Sequence, residues 1–136
     1  INKEKAQNAI ADLSNLLRKT LRIKDKKWIT LEEELALLKT YLKIEKLRFQ
    51  DKVDFIFQID ENLLDSKTPP LILQPIVENA LKHGFSLHFD QIQVTITILR
   101  QKNKLIYIYD IDFCTFRFFI FKAKVFFIIH LSGHKT

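Results

Sequence analysis

Five polar side chains in the stretch 71–84, LILQPIVENALKHG, have the types and spacing to hold a charged ligand. On a helical wheel at about 100° per residue, Gln74, Glu78, Asn79, Lys82 and His83 share one arc. Leu73, Ile76, Val77, Ala80 and Leu81 share the other. A solvated helix face is usually Glu, Lys and Gln, whereas Asn and His are mediocre helix formers that add nothing to a plain exterior. A carboxylate, an amide oxygen, an ammonium and an imidazole side by side suit a magnesium nucleotide. Mg²⁺ prefers oxygen ligands and keeps several waters, so one Asn oxygen plus phosphate oxygens can suffice. Lys82 and His83 would then meet phosphate charge. On pattern alone, a half-exposed helix with ordinary polar residues is the better account of the same face.

The elements that must position this helix are readable on both sides of it. Residues 3–22 are amphipathic, with Ala6, Ile10, Leu13, Leu17 and Leu21 at spacings of three or four. The charged run Ile23 to Trp28 reads as a connection. Thr30 and Glu33 are spaced as a capping box that opens a second helix. Leu31, Leu35, Leu38, Leu42, Glu45 and Phe49 follow close to a heptad seam. Two helices with so short a link suggest an antiparallel hairpin. A hairpin buries only one stripe per helix, so pairing with a second copy as a four-helix bundle, a homodimer, is expected. After Asp51 the apolar period changes to two, and 53–59, 92–98 and 105–109 read as strands, the last two joined by a turn at 102–104. Pro75 must lie in the first turn of the helix it enters. Gly84 is the expected stop of that helix.

The chain has 136 residues, 47% of them hydrophobic and 28% charged, a balance that suits a folded globular chain. It has no Met and starts at Ile1, so a fragment of something longer is expected, and its first residues, INKEKAQNAIADL, are polar with no apolar signal-like stretch. A single cysteine, Cys114, rules out an internal disulfide framework and reads as a small buried hydrophobe. The net charge of +6 does not point to nucleic acid. Four of the 22 basic residues and none of the 16 acidic ones lie in 113–136, leaving the rest at +2 with no clustered basic element. That last segment holds seven of the 12 Phe residues and suits an edge strand pair or a sticky tail. Arg117, Lys122 and Lys124 interrupt it too often for a membrane span. His130 and His134 are four apart but lack a third metal ligand. Trp28 is most plainly an aromatic that caps a bundle end.

PPLILQPIVENALKHG resembles the N-box of LytS-type sensor histidine kinases, members of the ATPase group that includes gyrase, Hsp90 and MutL. TLEEELALLKTYLKIEKLRFQDKVDF is similar to the second dimerisation helix and first strand of the same kinases, and together the two cover roughly residues 8–112. The resemblance implies an α+β fold: a helical hairpin (1–51), then the N-terminal half of an ATP-binding α/β sandwich (52–112), then an aberrant Phe-rich tail (113–136). It implies ATP and Mg²⁺ as cofactors. Asn79 would hold the Mg²⁺, and Glu78 would orient water or assist phosphoryl transfer. Lys82 and His83 would contact phosphates, and Asp110 would take the place of the Asp that binds the adenine amine. Transfer of a γ-phosphoryl asks mainly for positioning and charge stabilisation.

Departures from the family pattern are equally specific. The family's phosphoacceptor His lies just before the first helix, and none of His83, His88, His130 or His134 has that context. Asp110 is followed by Ile111, Asp112 and Phe113 where Asn and glycines belong, and only Gly133 remains downstream. A frameshift or a sequencing error near codon 111 would account for the abrupt change, with a real but divergent tail as the alternative. The expectation is therefore a histidine kinase fragment, inactive by itself. Its parent would be anchored in the bacterial inner membrane with this part cytoplasmic, and would phosphorylate a response regulator, often of the LytTR kind, without touching nucleic acid directly. The rivals are a non-catalytic dimerisation module with a dead nucleotide domain and a plain helical scaffold.

Overall fold

The computed structural model describes the backbone of residues 2–86, 91–114 and 120–130, and the side chains of 2–82, 91–108 and 110. His88 and His134 lie outside the described residues, as do the side chains of His83, Cys114 and His130. The fold is α+β, and among the described residues three α-helices accompany two sheets.

Helix α1 (Lys3–Ile23) begins where the Asn2 side chain accepts the Glu4 N–H at 2.9 Å. Helix α2 (Leu31–Phe49) opens on the expected box. The Thr30 N–H donates to Glu33 at 2.8 Å and the Glu33 N–H donates to the Thr30 hydroxyl oxygen at 3.1 Å. Each partner satisfies a backbone donor that the first turn leaves free. The next two donors are taken by the loop that follows the first long strand: Leu31 N–H reaches Ser66 O and Glu32 N–H reaches Leu64 O. A two-residue bridge, β1 (Ile29–Thr30) against β3 (Lys67–Thr68), closes the same junction.

Helices α1 and α2 lie side by side through Leu16, Ile23, Ile29 and Leu37, with Tyr41 and Ile44 packed at the edge. Asp12 meets Lys43 at 2.9 Å, so the two helices run in opposite directions. The stripe read from the sequence of α1 faces elsewhere: Ile10, Leu13, Leu17 and Leu21 are all exposed, Ile10 to 66%. Helix α2 instead buries two faces. Leu37 meets α1, while Leu31, Leu35, Leu38 and Leu42 enter the main core.

That core is built on a sheet of order β2-β4-β5-β6. Strand β2 (Val53–Ile59) runs parallel to β4 (Gln91–Gln101), in register from Val53 opposite Ile92 to Ile59 opposite Ile98. Parallel neighbours need a crossover, and helix α3 (Leu73–Ser86) lies in it. Strand β5 (Lys104–Cys114) returns antiparallel to β4 through a tight loop in which Lys102 takes φ 55°. Strand β6 (Ile120–His130), from the Phe-rich segment, pairs with β5 and forms the edge of the sheet among the described residues. Successive strand residues face opposite sides. Ile92, Val94, Ile96 and Ile98 of β4 and Leu105 and Tyr107 of β5 face the helices, where Leu73, Val77, Ala80 and Leu81 of α3 meet them. One core thus draws on both sides of residues 51–52. Tyr107, wholly buried, donates its hydroxyl to Thr68 at 2.9 Å.

Two details differ from the sequence reading. Helix α3 continues through Gly84 to Ser86, because Gly84 does not adopt the left-handed conformation that ends a helix. Strand β5 runs without a break past Asp110 and Asp112 to Cys114. No helix among the described residues is long and apolar enough to cross a membrane.

Candidate functional site

The site is the outward face of α3, and its construction starts at the helix entrance. The segment before it, PPLIL, has no Ser, Thr, Asp or Asn to cap the first turn. Pro75 stands third in the helix, where the missing N–H would have had no intrahelical acceptor. Three successive donors at the entrance are satisfied from another element. Glu34 of α2, only 2% exposed, accepts from the N–H groups of Leu71 at 2.9 Å, Ile72 at 2.6 Å and Leu73 at 2.9 Å. Leu71 sits at φ 60°, a left-handed conformation uncommon for a residue with a branched side chain, and its N–H is one of those held.

Beyond that anchor the two faces of α3 separate as the helical wheel requires. Leu73 and Val77 are fully buried and Leu81 nearly so, whereas Glu78, Asn79 and Lys82 are exposed. Gln74 is half-buried one turn before Glu78, and its Oε1 is buried with no hydrogen-bond donor among the described residues. The charge of Glu78 is also felt on α2. Burial, then the carboxylates of Glu45 and Glu78, push the Tyr41 phenol up to about 12, with Arg48 opposing. Among the described residues Glu78 and Lys82 form no ion pair. Two charged groups of opposite sign therefore stand one turn apart without pairing with each other, with the Asn79 amide beside them.

This donor set suits a metal–phosphate group better than a metal alone. No cluster of three His, Cys, Asp or Glu side chains that could hold a metal ion exists among the described residues. Mg²⁺, however, is commonly held by one or two protein oxygens plus phosphates and water. Asn79 and Glu78 offer such oxygens, and Lys82 offers a positive charge to the phosphates.

Asp110 is not brought to this face. It lies opposite Thr95 in the register of β4 and β5, three strand positions from the Ile98–Tyr107 level, and residues directly opposite share a side of the sheet. Ile96 and Ile98 face α3, so Thr95 and Asp110 belong to the other side. The cause is parity: Leu105 and Tyr107 fix the core face of β5 at odd positions. The His83 side chain, expected beside Lys82, is outside the described side chains.

Glu34 was the residue that sequence reasoning missed. It sits in the run Glu32–Glu33–Glu34, which reads as an acidic first turn complementing the helix dipole. The available signal was its place on the wheel, three residues after Leu31 and four before Leu38, inside the apolar arc.

A histidine kinase family model matches residues 1–53. The sensor protein LytS of Oceanobacillus iheyensis is 36% identical over 105 residues, which are 77% of this chain and 18% of that protein. The sensor histidine kinase YpdA of Escherichia coli shows the same identity over the same length, and the sensor histidine kinase BtsS of Escherichia coli is 37% identical over 102 residues. The chain therefore spans about a fifth of the length of the curated relatives it matches. With the capped second helix, the crossover helix and its Glu-Asn-Ala turn in the expected places, this chain belongs to the LytS-type sensor histidine kinases.

Proposed function

We propose that this chain supplies the dimerising hairpin and the magnesium-nucleotide helix of a two-component sensor histidine kinase. The observation that carries this reading is the α3 face. Glu78, Asn79 and Lys82 stand exposed, free of ion pairs among the described residues, on a helix whose opposite side is locked in the core. Asn79 would hold Mg²⁺ through its amide oxygen, with Glu78 beside it to orient water or assist transfer. Lys82 and His83 would meet the phosphates. The bound Mg²⁺–ATP supplies the γ-phosphoryl group and neutralises part of its charge. In the whole kinase that group would pass to a histidine outside this chain and then to a response regulator, with a LytTR-type regulator the expected partner. The exposed stripe Ile10, Leu13, Leu17 and Leu21 supports pairing of two hairpins as a four-helix bundle. This part would stand on the cytoplasmic side of a membrane-anchored parent.

Calorimetric titration of the chain with ATP tests the reading. Binding is expected with Mg²⁺ present and a loss of at least about tenfold in affinity in Asn79→Ala, the scale of one charge-assisted contact. Equal affinity in the variant, or none in the parent chain, would reject the nucleotide role. No phosphohistidine is expected on this chain alone.

One observation favours a second reading, a non-catalytic dimerisation module. Strand β5 continues through Ile111, Asp112 and Phe113 where a nucleotide loop would need glycine, and Asp110 belongs to the sheet side away from α3. An adenine amine contact from Asp110 would require that strand to shift by one residue. Under this reading the chain dimerises in sedimentation experiments and does not respond to ATP.

A further inference from the structure

The entrance of α3 is completed by a residue of α2, and that arrangement has a consequence for control of the site. We propose that Glu34 is a positioning residue that ties the orientation of α3, and so of Asn79 and Lys82, to the helical hairpin. The part of this inference that concerns nucleotide rests on the reading above.

Most helices are capped locally, by a side chain one or two residues ahead of the first turn. The 69–73 segment, PPLIL, has no such side chain, so α3 borrows its cap from a carboxylate 37 to 39 residues earlier in the chain. Glu34 is buried, and among the described residues no Lys, Arg or His pairs with it. Its charge is answered by three successive backbone N–H groups. Buried charge tolerates little separation from its partners, because breaking the contact leaves an uncompensated carboxylate in a low-dielectric interior. Sliding or rotating α2 against α3 would break all three bonds together and release Leu71 from φ 60°. The helices therefore move as one body. Leu31, Leu35 and Leu38 beside Glu34 and Leu73 and Val77 beside the held amides share one core, which stiffens the same joint. A displacement imposed on the hairpin is then delivered to the turn that carries Glu78 and Asn79.

The test separates capping from positioning. Amide exchange reads whether α3 is formed, and residual dipolar couplings of α3 amides against α2 amides read its orientation. Glu34→Ala is expected to speed exchange at residues 71–73 by about tenfold or more and to scatter the α3 couplings while α1 and α2 keep theirs. Glu34→Gln, which keeps one acceptor oxygen, should lie between, and it serves as the test variant should Glu34→Ala not fold. Adding Ile72→Asp to Glu34→Ala supplies a local cap. Recovery of slow exchange with couplings still scattered supports the positioning role. Couplings that are unchanged in both Glu34 variants, or fully restored by Ile72→Asp, would overturn it. Mg²⁺–ATP affinity, measured alongside, should fall with the scattering of the couplings and stay low in the double variant. Should the parent chain bind no nucleotide, the nucleotide reading fails, while exchange and couplings still decide the role of Glu34.

Discussion

Helices α1 and α2 have similar lengths and lie against each other, yet they use their apolar residues in opposite ways. In α1 the regular stripe Ile10, Leu13, Leu17, Leu21 is exposed, and contact with α2 falls to Leu16 and Ile23. In α2 the heptad-like seam Leu31, Leu35, Leu38, Leu42 is buried against the sheet and α3, and Leu37 is buried against α1. Periodicity in a sequence reports that a helix has an apolar partner; it does not say that the partner lies in the same chain. The stripe of α1 is left largely exposed.

The sharpest way to break this contrast is to replace one leucine of each set. Leu38→Ala, in the core, should destabilise the chain by about 2–5 kcal/mol in urea unfolding. Thr30→Ala, which removes the hydroxyl that caps α2, should cost about 1 kcal/mol by the same measurement. Leu17→Lys, on the open stripe of α1, should change the stability of the monomer by no more than about 0.5 kcal/mol. It should nonetheless abolish self-association in sedimentation velocity. A large loss of monomer stability from Leu17→Lys would mean that the stripe is covered within one chain.

The smallest effect is a pH dependence at the start of α2. The Thr30 backbone N–H holds the Glu33 carboxyl below its ordinary range, against a weaker opposing effect of burial. A carboxyl lowered on folding stabilises the fold above its unfolded value and loses that contribution as pH falls through the folded value. Stability of the parent chain should therefore drop slightly more on acidification than that of Glu33→Gln, seen by comparing urea midpoints at neutral pH and below pH 4. Identical drops would mean that the box does not persist in solution.

What could be read from the sequence was what is local. Thr30 and Glu33 are three residues apart, so their pattern is visible without knowing the fold. Strand β2 and helix α3 showed themselves by periods of two and about 3.6. The polar arc of α3 was legible down to Glu78, Asn79 and Lys82 because one helix generates it. Glu34 was not, since its partners lie some forty residues away and its neighbours Glu32 and Glu33 are exposed acids of the helix start. Asp110 was assigned from motif position, while its side of the sheet is set by parity with Leu105 and Tyr107 and by register with Thr95. Gly84 looked like a stop because glycine permits a left-handed turn; permission is not use.

Three of the side-chain bonds that cross the fold share a span. Glu34 to Leu73, Gln58 to Thr97 and Thr68 to Tyr107 each join residues 39 apart. Each closes a loop of about the same length, at an entropic cost that the chain must meet before the contact returns anything. Helices and the β4–β5 hairpin can form as short-range pieces, but α3 acquires its first turn only after α2 and the sheet have come together. It is therefore expected to come loose before α1 and α2 under mild denaturation, which faster amide exchange at residues 71–73 than within α2 would show. Its turn of Glu78 and Asn79 exists as a defined surface only while the long-range closures hold.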